Sequence, residues 1–360
     1  MRIARTVTGR SLIVAFSRSY HGIMDEVIVR GSHMKKTFPA APGIMPEAVQ
    51  NMLILDYGTE ESLQIIRDRA HELAAVLVEP VQSRRPEFQP LEFLKEVRDI
   101  TNASNTALIF DEVITGFRMH PQGMQGIFGI KADVATYGKV IGGGLSIGAI
   151  AGSTKYMDAL DGGHWQFGDD SFPEVGVTYF AGTFVRHPLA LASAKASLLY
   201  LKENGPELQD RLSDMTSHLA SELNAVFKHR NVPIEINYYK SLWRASFKEE
   251  IPYAELIFVL LRLKGIHIWD GFPCFLTVAY KEDDITHIIN CFIESIDALT
   301  EAGIFQLNNT NETSSLKYKT SFELNQPPKP GARLGIDESG NPAWYVDDEK
   351  NEGTYQKIEL

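Results

Sequence analysis

Cysteine is almost missing from this chain. Only Cys274 and Cys291 occur among 360 residues. Their spacing suits neither a disulfide framework nor a thiolate metal centre, so no metal and a reduced, cytoplasmic location are expected. Basic residues are also in short supply. Lys and Arg number 35 against 46 Asp and Glu, for a net charge of −11, which argues against the basic footprint of a nucleic-acid binder. No apolar run approaches the length of a membrane span. The start, Met1-Arg2-Ile3-Ala4-Arg5, lacks the apolar core of a signal peptide. No Gly-x-Gly-x-x-Gly joins a strand to a helix, and Gly138-Lys139 is followed by valine rather than the Ser or Thr of a Walker loop, so a nucleotide-binding domain is a weak reading.

What is present is a chain that can bury a sizeable core in two lobes, with 44% of its residues hydrophobic. Short apolar runs read as strands at 11–16, 74–78, 108–110 and 146–152, and three- and four-residue apolar steps read as helices over 60–73 and 91–103. Strand, helix, strand at this spacing is the grammar of a mostly parallel α/β sheet. Helices are expected over 187–203 and 206–228. Short strands and further helices then form a smaller α+β lobe, which gives a large domain over 1–195 and a small one over 196–305. Residues 161–176, rich in Gly, Asp and aromatics, read as a loop over a site. The polar run 308–315 and the Pro-rich, acidic stretch beyond it read as a linker, 306–360, without a core of its own.

Two apolar runs end on charged residues. Ala107-Leu108-Ile109-Phe110 ends on Asp111, and Val134-Ala135-Thr136-Tyr137-Gly138 ends on Lys139. A lysine at the end of a buried strand loses solvation, which frees a neutral amine to form a Schiff base. Most lone lysines after strands are simply exposed, but Gly142-Gly143-Gly144 beside this one permits close approach of a bound group. A buried carboxylate persists where something cationic pairs with it: a protonated pyridine nitrogen, or an internal partner such as Arg118. Val113 alternates with Asp111 and is expected on the same face, where it could pack on a flat ring. Tyr20 and His21 could stack on the other face, Gly182-Thr183 could reach a phosphate, and Glu112 reads as a satisfied structural acid. Glu79 ends a further strand on the side of Asp111, where ligands of open parallel sheets gather.

Taken together, Tyr20-His21-Gly22, Val78-Glu79-Pro80-Val81-Gln82, Phe110 to Arg118, Gly138 to Gly144 and Ala181-Gly182-Thr183 resemble the class III pyridoxal-phosphate aminotransferases, most closely the glutamate-1-semialdehyde aminomutase branch. The resemblance covers about residues 1–305. It implies fold type I with pyridoxal 5'-phosphate as cofactor. It also implies that Lys139 carries the cofactor and moves a proton between carbon atoms, that Asp111 pairs with the ring nitrogen, and that Val113 and Tyr20 sandwich the ring. Thr183 would reach the phosphate in a neighbouring subunit of a homodimer, with Glu79 and Gln82 shaping the substrate side. Residues 82–86 and the tail, Pro330-Gly331-Ala332-Arg333-Leu334-Gly335 with Asn341-Pro342-Ala343-Trp344-Tyr345, are similar to aminotransferase domains of hybrid polyketide–peptide synthetases. Microcystin and nodularin synthetases of cyanobacteria are examples. That likeness implies amination of a β-keto acyl thioester held on a carrier protein, with glutamate or glutamine as donor. The alternatives are an aminomutase and a truncated, non-catalytic fragment. Family members carry a phosphate-gripping segment before the position of Met1, so the resemblance implies an N-terminally truncated chain that holds its cofactor weakly.

Overall fold

The computed structural model describes residues 1–31, 37–305, 332–336, 342–347 and 355–358. The polar run 308–315 therefore lies outside the described residues. In chain order the first half comprises α1 (Arg2–Thr8), β1 (Leu12–Phe16), β2 (Val29–Gly31), β3 (Thr37–Pro39), α2 (Pro46–Val49), β4 (Met52–Leu55), α3 (Glu60–Arg69), β5 (Leu73–Val78), α4 (Leu91–Ser104), β6 (Ala107–Asp111), α5 (Gly123–Phe128), β7 (Val134–Gly138), β8 (Gly148–Gly152) and α6 (Thr154–Met157).

β5 is buried along its whole length. A strand covered on both faces needs an uninterrupted apolar run, and Leu73-Ala74-Ala75-Val76-Leu77-Val78 supplies one. Around it the six-stranded sheet runs β4-β1-β5-β6-β7-β8. The first five strands are parallel and β8 is antiparallel to β7. Alternate side chains of the strands feed two cores. Val14, Val76, Leu108 and Phe110 meet Leu63 and Ile66 of α3 and Phe93, Leu94 and Val97 of α4. Ile13, Ala75, Leu77 and Ile109 meet Ile3 and Ala4 of α1 and Tyr156 of α6. Helices thus cover both faces, and all five parallel strands deliver their carboxyl ends to one edge. α1 and the edge strand β4 were not anticipated, and the helix expected over 60–73 stops at Arg69.

The second half comprises α7 (Pro188–His229), β9 (Ile234–Tyr239), β10 (Leu242–Phe247), α8 (Leu256–Leu263), β11 (Cys274–Phe275) and α9 (Glu282–Glu301). α7 is two helices across a kink, because Gly205 takes φ 56° and ψ −162° and Pro206 opens the second with a preset φ. The expected domain boundary at 195/196 falls inside the first of these helices. The break at Gly205 precedes the first residue of the smaller lobe's core. That core packs Leu219, Leu223 and Phe227 of α7, Ile257 and Leu261 of α8, and Phe292 and Ile296 of α9 over the antiparallel β9, β10 and β11. Residues Met1–Leu307 form one compact unit and Asn308–Leu360 a second. The tail, expected to be a bare linker, carries a three-stranded antiparallel sheet of β12 (Arg333–Ile336), β13 (Pro342–Asp347) and β14 (Tyr355–Lys357). Ala343 and Trp344 of β13 are buried.

Candidate active site

The carboxyl ends of β1, β5, β6 and β7 surround a cavity of about 520 Å³. Tyr20, His21, Glu79, Asp111, Val113 and Lys139 all line it, as does Thr136. Asp111 closes β6 with its side chain 13% exposed. Its Oδ2 accepts from His21 Nδ1 at 2.8 Å, and its Oδ1 accepts from the Val113 N–H and the Thr136 hydroxyl, each at 3.2 Å. The internal partner of Asp111 is therefore His21 rather than Arg118. An ionised carboxylate only accepts, which fixes the proton on Nδ1 and leaves the buried His21 Nε2 without a partner.

Val113 reaches the cavity by a different route from the pleat. β6 ends at Asp111, and the following turn folds Val113 back so that its N–H bonds the Asp111 carboxylate. Lys139 follows Gly138 with φ +47°, a left-handed conformation that disfavours a side chain. Its ammonium opens onto the cavity, yet the surrounding protein desolvates it and lowers its pKa. Arg118 pushes in the same direction, while Asp111 and Glu79 oppose the shift. Tyr20, 48% exposed, stands at the cavity wall, and its N–H donates to Glu79 Oε2 at 3.0 Å.

Three other residues singled out in the sequence fall elsewhere. Gln82 is fully buried, and its Nε2 donates to the Ser17 carbonyl at 2.8 Å and to Ser19 Oγ at 2.9 Å. It braces the turn that carries Tyr20 and does not line the cavity. Thr183 is exposed and outside the cavity of its own chain, as is the segment 161–176. Glu112 is the structural acid expected. Its carboxylate accepts from the Thr115 hydroxyl at 2.6 Å and from the N–H groups of Met124 and Gln125 at 3.0 and 3.1 Å. Gly123 sits beside it at φ +63°, where a Cβ would lie 2.6 Å from the carboxylate oxygens.

The sequence profile described as aminotransferase class-III matches residues 1–273. The chain belongs to the class-III aminotransferases. Pyridoxal 5'-phosphate is the cofactor of that family. Among its relatives, glutamate-1-semialdehyde 2,1-aminomutase 1 of Lachnoclostridium phytofermentans is 31% identical over 317 residues, covering 82% of this chain and 71% of the relative. The glutamate-1-semialdehyde 2,1-aminomutase of a Hydrogenobaculum species is 36% identical over 255 residues, covering 69% of this chain and 57% of that protein. The chain thus spans only part of these relatives. Of solved structures, a transaminase with PLP bound superposes with a TM-score of 0.73 at 26% identity, over 84% of this chain and 70% of the other. The ω-transaminase of Sphaerobacter thermophilus gives 0.71 at 25% identity, over 82% and 70%.

Within this class-III site, Thr136 is the residue that sequence reasoning missed. It pairs in register with Asp111 across β6 and β7, and its signal was a lone hydroxyl near the end of an apolar strand. Glu79 has a separate consequence. It is 4% exposed, and burial raises its pKa, against the charge of His21 and the Tyr20 N–H bond. A carboxyl whose folded pKa lies above its unfolded value, about 4.3, contributes stability that is fully present below the unfolded pKa and lost as pH rises through the folded one. Glu79→Gln keeps an acceptor for the Tyr20 N–H and removes the titration. Its melting temperature is expected to fall less steeply than wild type's as pH rises above about 4.3. Identical slopes in the two melting series would assign the effect to another group.

Proposed function

We propose that this chain moves an amino group onto a carbonyl carbon with the help of pyridoxal 5'-phosphate, in the manner of a glutamate-1-semialdehyde aminomutase. The observation that carries this reading is the pair Asp111 and Lys139, which share a cavity at the ends of adjacent strands β6 and β7. When bound, the cofactor supplies an aldehyde carbon and an electron-withdrawing ring. Asp111 offers a carboxylate, already oriented by Val113, Thr136 and His21, to a protonated ring nitrogen. Val113 and Tyr20, both lining the cavity, would pack against the ring. Lys139, its ammonium destabilised by burial, gives up and regains a proton at Nζ near neutral pH more readily than a solvated lysine.

The lining fits the ring end of the cofactor well and its phosphate end poorly. Among the described lining residues Lys139 is the only lysine and there is no arginine. We assign the phosphate contact to Thr183 of a second copy of the chain. Exposed apolar residues cluster on the same segment, among them Phe167, Phe172, Tyr179 and Phe184, a patch of the kind that marks a protein interface. Glutamate-1-semialdehyde relatives favour the mutase over the second reading, transfer from glutamate or glutamine to a carrier-bound β-keto acyl thioester, which rests on the likeness of residues 82–86 and of the tail.

One experiment separates the two. The chain, loaded with pyridoxal 5'-phosphate, is given glutamate-1-semialdehyde without any other amine. Turnover under those conditions is the expected result. Turnover that begins only when glutamate or glutamine is added with a β-keto acyl carrier substrate favours the second reading, and silence in both arms overturns both.

A further inference from the structure

A second cavity, of about 420 Å³, lies between the loop that follows Lys139 and the smaller lobe. This volume falls within the range of small-molecule sites, about 300–1,000 Å³. Its walls are largely apolar: Val140 on one side, Leu201, Leu208 and Leu212 of α7 on another, and Leu276 and Val278 beyond β11, with the hydroxyls of Ser193, Ser197 and Thr277 among them. It shares no lining residue with the cavity of Asp111 and Lys139.

Among the described residues that line it, Arg118 is the one that is charged. Its Nε donates to the Ile114 carbonyl at 3.0 Å, and its guanidinium lies 4.2 Å from the centre of the Phe275 ring. No ion pair joins it to a carboxylate among the described residues. Burial brings its pKa down to about 10, and no acidic neighbour acts the other way. Lys139, a further cation, lies within electrostatic reach of it. Arg118 is half-buried, and a cation that gives up part of its hydration normally gains a partner. A ring face and one carbonyl compensate a guanidinium only in part. Among the described residues its other N–H groups have no hydrogen-bond partner, and a guanidinium fork is the geometry that a carboxylate accepts in two parallel hydrogen bonds. A phosphate dianion would bring two charges to one cation inside largely apolar walls, whereas a monocarboxylate brings one.

We propose that this second cavity binds a medium-chain acyl carboxylate, with its head on the Arg118 guanidinium and its chain along the leucines of α7. The inference stands apart from the cofactor reading, since it needs neither Lys139 nor bound cofactor. The test is titration calorimetry on the full chain with octanoate, 1-octanol and octylamine. Octanoate is expected to bind saturably, one per chain. The alcohol lacks the charge, and should bind about tenfold more weakly or worse; the amine should give no saturable heat. Arg118→Met keeps apolar bulk and should lose about tenfold or more in octanoate affinity. Ala196→Trp, at the rim of the cavity, leaves Arg118 in place and should block the chain. Far-UV circular dichroism and melting curves report whether each variant folds. If Arg118→Met does not fold, Ala196→Trp and the alcohol comparison decide. Absence of saturable octanoate binding to wild type overturns the proposal. So does equal affinity for octanoate and octanol, or binding that survives Ala196→Trp.

Discussion

Replacing Lys139 by alanine is expected to remove the visible absorbance that a lysine-bound cofactor gives and to lower turnover by at least about a thousandfold, since nucleophile and proton carrier are lost together. The fold should survive. The Lys139 side chain opens onto the cavity and makes no ion pair among the described residues. Alanine meets the same left-handed backbone, φ +47°, that lysine already tolerates. Soluble, normally melting Lys139→Ala protein that still showed the absorbance band would place the attachment elsewhere and remove the basis of the proposed chemistry. The measurement is best made on dimeric protein if a second copy supplies Thr183.

Asp111→Asn is expected to have the second largest effect, a loss of about a hundred- to a thousandfold in turnover. The amide oxygen still accepts from the Val113 N–H and the Thr136 hydroxyl, so the turn after β6 remains. What disappears is the negative charge, and with it the bond that His21 Nδ1–H makes to Oδ2. The stability cost should be modest, about 1–3 kcal/mol, for one charge-assisted hydrogen bond lost and the His21 N–H left without its acceptor. Activity and melting temperature therefore separate the two roles. A variant that melts far below wild type would make Asp111 a structural group first, and one that keeps near-normal turnover would refute its pairing with a ring nitrogen.

Much of the parallel sheet was legible because strands covered on both faces cannot hide. The runs at 73–78 and 107–110 are apolar without interruption, and few other structures require that. Asp111 and Lys139 were legible for the complementary reason, as charges where such runs stop. β4 was missed although Met52-Leu53-Ile54-Leu55 is apolar, since four residues after a proline-rich loop suit a buried turn as well as an edge strand. The bond between Thr136 and Asp111, 25 residues apart, and that between His21 and Asp111, 90 apart, depend on strand register and sheet order. Neither strand carries that information alone. Gln82 was placed wrongly because its neighbour Glu79 lines the cavity, and the turn between them directs Gln82 into protein instead. The half-buried Arg118 was read only as a partner for Asp111. Its isolation from any carboxylate among the described residues appears only when distances replace proximity in sequence.

The sheet order also has a consequence in time. β1 precedes β4 and β5 in the chain, yet it lies between them in the finished sheet, and the cavity draws on residues from Met1 to Lys139. Parallel neighbours joined through crossover helices pair late and slowly. A chain leaving the ribosome therefore exposes β1 until β5 arrives, and has no site to offer until β7 has emerged and docked. β1 depends on strands made after it for cover, and such a transiently exposed apolar strand is a surface that chaperones shield during synthesis.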